Sequence, residues 1–401
     1  MTARMTARAI LILSLAALAS AAAQRVTDPL LALISADYHV TPGAASAVIT
    51  AFAISYGLLQ VVHGPISDRF GKYEVVAATT ALSALGIFAC ALAPSLGWLI
   101  AARCASGATV GALIPVAMAW IGDAVPYERR QPMIARFLVG QMIGIATGTS
   151  IGGWLGELFG WRSAFAALGV LYVLIALLLF RELRINPHTR RAGGAPASIR
   201  GAFGRMALLV RRPWVRVVLA SVAAEALLFY GALAFVAYDM HTRYGVGLGA
   251  SGAMVGSYAA GGLLYAAGAA RIVRRLGERG LALGGGALLG LGYLGLLASP
   301  SAALAVPCLV AAGVGIYMLH STLQVNATQM APEARGAAVS LFALCLFASQ
   351  SAGVWLAARV VDAFGVAPVY AIAGLGLPLV ALAFRRRLAR RAAGFGAHAA
   401  E

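Results

Sequence analysis

The sequence predicts an all-α integral membrane protein, with twelve transmembrane helices in two pseudo-symmetric six-helix bundles. Three observations predict it. Hydrophobic residues make up 61% of the chain and charged residues only 11%, with a mean hydropathy of +0.84, whereas a soluble chain carries about 25% charged residues. Apolar runs of about 20 residues, each able to cross a bilayer, recur from one end to the other. Lys and Arg gather in alternate connections between those runs.

The first run, 9–35, follows Arg4 and Arg8 and begins with an Ala-rich stretch that looks like a secretory signal. The apolar run continues past Gln24 to Ile34, and removing its first part would leave an odd number of spans. It is read as an uncleaved helix; the repeated Met1-Thr-Ala-Arg and Met5-Thr-Ala-Arg leaves two possible starts. Runs 42–63 and 74–94 flank a short charged connection. Run 98–122 ends at Asp123, and 131–156 carries a glycine at every fourth position. Run 163–181 completes a first bundle over 1–181. Residues 182–212 hold Asn186-Pro187-His188, Gly193-Gly194, Pro196 and many arginines, and read as a cytoplasmic linker. The second bundle and a basic tail occupy 213–401, with runs 214–238, 249–270, 281–299, 302–325, 336–361 and 366–384.

With the N-terminus inside, 26 of the 31 Lys and Arg residues face the cytoplasm; the exceptions are Arg25, Arg103, Arg162, Arg243 and Arg359. That bias orients the chain with both termini cytoplasmic. The formal charge of +17 therefore reports topology. No nucleic-acid partner is expected, because no basic domain stands apart from the spans. Cys90, Cys104, Cys308 and Cys345 fall inside apolar runs without paired spacing and read as packing residues. Richness in Ala, Gly and Arg, with a single lysine, suggests a GC-rich bacterial genome and hence the inner membrane.

The most specific stretch is Gly64-Pro65-Ile66-Ser67-Asp68-Arg69-Phe70-Gly71-Lys72. Its charges cannot face lipid, so it reads as a short loop gripping two membrane helices; an ordinary basic turn is the plainer alternative. The pattern Gly-x-x-x-Asp-Arg-x-Gly-Lys resembles the loop between the second and third helices of major facilitator superfamily transporters. A degenerate copy, Ala270 to Arg279, follows the eighth run, with Gly277 aligned and Arg274 where the acid stands in the first copy. Arg103 with Gly107, and Asp123 with Pro126 and Arg129-Arg130, sit as their family counterparts do. The stretch Gly144-x-x-x-Gly148-Thr149-Ser150-Ile151-Gly152-Gly153 resembles the fifth-helix signature of the drug:proton antiporter branch, with Thr149 where that signature carries Pro. The resemblance implies the major facilitator fold and alternating access about a central site. It also implies a cytoplasmic gate of Gly64, Asp68, Arg69, Gly71, Lys72, Asp123 and Arg129, in which Arg69 or Lys72 reaches Asp123.

Ionisable residues at membrane depth mark candidate sites. Gln24, Arg25 and Asp28 share one helical face in the first run. Each ion alone would cost roughly 3 kcal/mol near the bilayer centre, and Pro29 withholds a donor from the Arg25 carbonyl. The set reads as a substrate or proton site, or as a structural ion pair. Glu225 lies mid-run with no basic residue within four positions; burial disfavours its charged form, which suits a proton carrier. A carboxyl held by a hydroxyl or amide on another helix is the alternative. Gln24, Tyr56, Gln60, Arg103, Gln141, Tyr230, His320, Gln324, Asn326 and Gln350 are further cavity candidates. The glycine row that includes Gly144, Gly148 and Gly152, together with Gly153, admits a close neighbour. It is expected to meet Gly252, Gly256 and Ala260 of the eighth run along a moving seam.

Nothing resembles a nucleotide-binding loop, a metal site or a catalytic triad. The expectation is therefore neither an enzyme nor a cofactor-dependent protein. It is a secondary transporter, functional as a monomer, that moves a small organic molecule in proton-coupled efflux. A proton-coupled importer of a sugar or organic anion is the alternative, and a non-transporting membrane receptor is the reading from another class.

Overall fold

The computed structural model describes residues 2–189 and 199–398, excepting the side chains of 2–4, 127–129, 131, 132, 135, 199, 200, 202, 203, 205 and 392–398. The described residues form α1 (Thr2–Arg25), α2 (Leu31–Asp37), α3 (Pro42–Ala45), α4 (Ala47–Phe70), α5 (Lys72–Ala91), α6 (Leu96–Val110), α7 (Leu113–Ala124), α8 (Tyr127–Phe159) and α9 (Trp161–Ile185). They continue as α10 (Ile199–Leu209), α11 (Pro213–Leu233), α12 (Val236–Tyr244), α13 (Leu248–Ala298), α14 (Ala302–Gln329), α15 (Arg335–Phe364) and α16 (Ala367–His398). Among the described residues there is no strand, and ten helical stretches are long and apolar enough to cross a membrane. The fold is an all-α integral membrane fold.

Two departures from the expected elements bear on the site. The first run is not one continuous helix. α1 stops at Arg25, a 3-10 turn spans Asp28–Leu30, and α2 resumes at Leu31. Pro29 and the charges flanking it account for the break, since the proline cannot donate to the Arg25 carbonyl. The charged motif is also not a loop. α4 runs through it to Phe70, and Gly71 alone separates α4 from α5. Hydropathy marks where a helix leaves lipid, which is not where its hydrogen bonding ends. Gly71 has φ 99°, a conformation that glycine enters without steric cost.

The chain divides into two compact units, Met1–Phe203 with Val236–Gly256, and Gly204–Phe235 with Ser257–Glu401. The division falls near the expected linker, but 236–256 group with the first unit. Within the first unit α1 packs on α8, α4 on α6, and α5 on α9. Within the second, α11 packs on α15, Gly261 of α13 meets Val310 and Gly313 of α14, and Gly286 and Gly290 of α13 meet Leu377 and Pro378 of α16. The same pairings thus occur twice.

The junctions repeat too. Gly71 and Gly277 (φ 58°) interrupt helices, and so do Gly160 (φ 82°) and Gly365 (φ 78°). Pro94-Ser95 and Pro300-Ser301 precede α6 and α14, each serine extended at φ −147° and −149°. Members of each pair lie 205 or 206 residues apart. Gly277 breaks the 51-residue α13 in two.

Candidate functional site

The helix break in the first unit holds a buried ion pair. Arg25 ends α1, where the helix dipole favours a cation, and Asp28 opens the following turn, where it favours an anion. Arg25 Nη1 donates to Asp28 Oδ2 at 3.3 Å, with the residues 4% and 0% exposed. The other carboxylate oxygen of Asp28 is buried without a hydrogen-bond partner among the described residues.

Arg103 lies close by and acts electrostatically on Asp28. Its Nε donates to the Val48 carbonyl at 3.3 Å and its Nη1 to the Ala23 carbonyl at 3.0 Å. Its guanidinium lies over the Phe52 ring at 4.0 Å and faces Phe165 at 5.8 Å. Fully enclosed, Arg103 ties α1, α4 and α6 together and supplies positive charge to the break. Its remaining nitrogen, Nη2, is buried without a hydrogen-bond partner among the described residues. Gln24, Tyr56 and Gln60, proposed singly from sequence, come together: the Tyr56 hydroxyl interacts with both glutamine side chains.

In the second unit Glu225 is fully enclosed on α11. His320 of α14 brings its Nδ1 to 2.8 Å from Glu225 Oε2 and lies 5.6 Å from the Phe342 ring. No basic residue lies within four positions of Glu225 in the sequence; the imidazole comes from 95 positions away. Glu225 Oε1 has no partner among the described residues. The His320 side chain remains 27% exposed while that of Glu225 is 1% exposed, so the pair is closed at the acid and open at the imidazole. Such a pair holds one proton as carboxylate and imidazolium, or as acid and imidazole, at the same net charge. Gln324 is exposed one turn beyond His320, Gln350 and Asn326 are buried, and Tyr230 and Gln141 are half-buried.

At the charged motif Lys72 pairs with Asp123, as expected for one of its two cations. Arg69 is exposed and lies over its neighbour Phe70 at 5.2 Å. Asp68 is half-buried. A Cβ added at Gly71 would strike the Glu74 carboxylate, whereas one at Gly64 would meet nothing within 4 Å. The side chain of Arg129 lies outside the described residues.

The family model described as Major Facilitator Superfamily matches residues 13–354. The chain belongs to the major facilitator superfamily. It is 32% identical over 170 residues to "Multidrug resistance protein D" of Escherichia coli (strain K12), a match covering 42% of each chain. It is 31% identical over 134 residues to "Multi-drug resistance efflux pump PmrA" of Streptococcus pneumoniae serotype 4, covering 33% of each. The matched stretches span less than half the length of these relatives. Among solved structures it is similar to the peptide transporter POT in complex with sulfate, with a TM-score of 0.78 and 14% identity over 96% of this chain and 95% of that one. At that identity the likeness shows the fold alone.

In this superfamily member Gly144, Gly148 and Gly152 of the expected seam have the first apolar run as their nearest neighbour, while Gly153 meets α13. Gly140, Gly144 and Gly148 face Ser14, Leu18 and Ala22 of α1, and Gly152 faces Val26 just beyond its end; a Cβ on Gly148 would come within 2.6 Å of the Ala22 Cα. The contact with α13 runs along a neighbouring face: Gly153 meets Leu248 and Gly249, Gly252 meets the Thr149 carbonyl, and Gly256 meets Ala146. A row of small residues says how close a neighbour can come but not which helix it is. Thr149, standing where the antiporter signature carries Pro, hydrogen-bonds the carbonyls of Ile145 and Ala146 at 3.2 and 3.1 Å, and α8 continues through it unbroken.

Two groups escaped the sequence reading. Glu157 accepts from the Gly249 amide at 2.8 Å, placing a carboxylate at the N-terminal end of α13. Asp37 accepts from Arg162 at 2.7 Å and from the Trp161 indole at 3.1 Å. The only sequence signal for either is an ion at the edge of an apolar run.

Proposed function

We propose that the protein is a secondary active transporter of the bacterial inner membrane that exports a small organic molecule by alternating access, in exchange for protons. Ten candidate spans, with the two limbs of α13 counted separately and the 33-residue α8 added, support twelve crossings, and the charge bias supports cytoplasmic termini. The efflux direction is supported by the names of the two multidrug relatives, and the Lys72–Asp123 pair supports a gate at the charged motif.

The observation that carries proton coupling is Glu225 with His320. A coupling acid must give up and regain a proton within one cycle, reached from each side in turn. An enclosed carboxyl that meets a part-exposed imidazole offers that route. The Arg25–Asp28 pair, held by its own charges and by Arg103, is assigned to orienting cargo or to gating. The test is transport by purified protein in vesicles, with and without an imposed pH gradient. Gradient-driven accumulation that survives Glu225→Gln would sink the assignment, and if Asp28→Asn alone abolished it, the two sites would exchange roles.

Import of an organic anion is the second reading. The buried Arg25 at a helix break favours it, because a guanidinium there can hold a carboxylate. A pH gradient of the opposite sign would then drive accumulation.

A further inference from the structure

Within the second unit, α11 and α16 enclose a groove of about 500 Å³. Two rows spaced by four residues line it. Arg216, Ala220 and Ala224 run along α11, and Arg387 and Ala383 along α16, beside the buried Phe384. The α16 row continues as Leu379 and Leu375, which are 65% and 61% exposed. Because the helices run in opposite senses, each row carries its arginine at the same end. The result is an apolar track open at the surface of the unit and closed by two guanidinium groups.

Those charges have no acid to meet. Among the described residues no carboxylate pairs with Arg216 or Arg387, and Glu333 is already taken by Arg212 at 2.5 Å. The first unit treats its equivalent edge differently. There Arg8 pairs with the buried Glu182 at 2.8 Å, and Asn186 donates to the same carboxylate at 2.6 Å. The repeat offset places Leu388 where Glu182 stands. The acid that neutralises one edge is thus replaced by an apolar residue at the other. Trp214, stacked on Phe384 at 6.2 Å and covered by Arg391 at 4.3 Å, adds an aromatic residue of the kind that settles at headgroup depth.

We propose that this groove is a binding site for an anionic glycerophospholipid, its phosphate against Arg216 and Arg387 and an acyl chain along the Ala220, Ala224 and Leu379 track. Clusters of basic residues at the inner edge of membrane helices attract anionic headgroups, and a guanidinium matches phosphate geometry. The site goes beyond the transport reading and does not depend on cargo or protons. It does rest on the proposed orientation, which sets both arginines in the inner leaflet.

Full-length protein in a mild detergent is titrated with phosphatidylglycerol, with phosphatidylcholine of the same chains, or with inorganic phosphate, and bound lipid is counted by native mass spectrometry. Phosphatidylglycerol should stay bound, phosphatidylcholine should not, and phosphate should fail to displace the lipid. Each arginine removed should weaken retention about fivefold, and Arg216→Gln with Arg387→Gln about thirtyfold. Ala220→Phe keeps both charges but fills the track, and should also release the lipid while thermal unfolding stays near that of the parent. Equal retention of phosphatidylcholine, displacement by free phosphate, or unchanged retention in Ala220→Phe overturns the proposal. Because the readout is made in detergent without a gradient, its failure would leave the transport reading untouched.

Discussion

His320 Nδ1 lies 2.8 Å from Glu225 Oε2, joining an imidazole on α14 to the enclosed acid of α11. Removing the imidazole leaves a buried carboxylate without its basic partner, a costly state that protonation relieves. His320→Ala should therefore trap the acid in its protonated form and uncouple transport from the pH gradient. Substrate exchange between equal concentrations should persist. Counterflow in vesicles measures the exchange, and its loss alongside net transport would show that His320 serves the fold or the cargo instead.

Arg25 and Asp28 are both enclosed, so they cannot be separated cheaply. Asp28→Asn leaves a buried guanidinium without its counter-ion, at a cost of roughly 3–5 kcal/mol. The double variant Arg25→Met with Asp28→Leu should recover most of that stability, read by thermal unfolding in detergent, while transport stays absent. Recovery of transport by the double variant would reduce the pair to a structural element.

The Lys72–Asp123 pair is more open, with side chains 23% and 64% exposed, and a pair of this kind contributes about 1 kcal/mol or less. Asp123→Asn should accordingly leave the unfolding temperature nearly unchanged and lower turnover. Asp68→Asn should behave the same way, with the protein still inserted. A large loss of stability in either variant, or normal turnover in both, would contradict a gating role.

The glycine row makes a prediction about folding. Gly148 approaches the α1 backbone too closely for a side chain, so Gly148→Leu should push α1 from α8 and cost about 1–3 kcal/mol. Its effect should appear as reduced yield and unfolding temperature before any effect on cycling. Cysteines at positions 148 and 22 should crosslink, and failure to do so would place α1 elsewhere.

The two motif glycines should differ. Gly277→Ala meets nothing within 4 Å, so it costs only its positive-φ, extended-ψ backbone, about 1–3 kcal/mol. Gly71→Ala carries that cost and also strikes the Glu74 carboxylate. Gly71→Ala should be the less stable by thermal unfolding, and the reverse order would place the motif backbone elsewhere.

Taken by itself, the sequence determined the membrane class, the order of the spans, the twofold character of the chain and the family. These follow from composition, from run length and from short motifs, which are local signals. It also placed Arg25 near Asp28, because residues three apart are close in any helical turn, although the pair meets across a helix break and not along one helix, and it marked Pro29 as a weak point. The tertiary structure decided what local signals cannot carry. It brought His320 to Glu225 across 95 residues, and it gave the arms of Arg103 the carbonyls of Ala23 and Val48. It turned the glycine row of α8 toward α1, with α13 on the adjacent face. The reason is the same in each case. Periodicity along one helix settles which side chains share a face and how closely a neighbour can approach, but the identity of that neighbour follows only from packing all the helices at once.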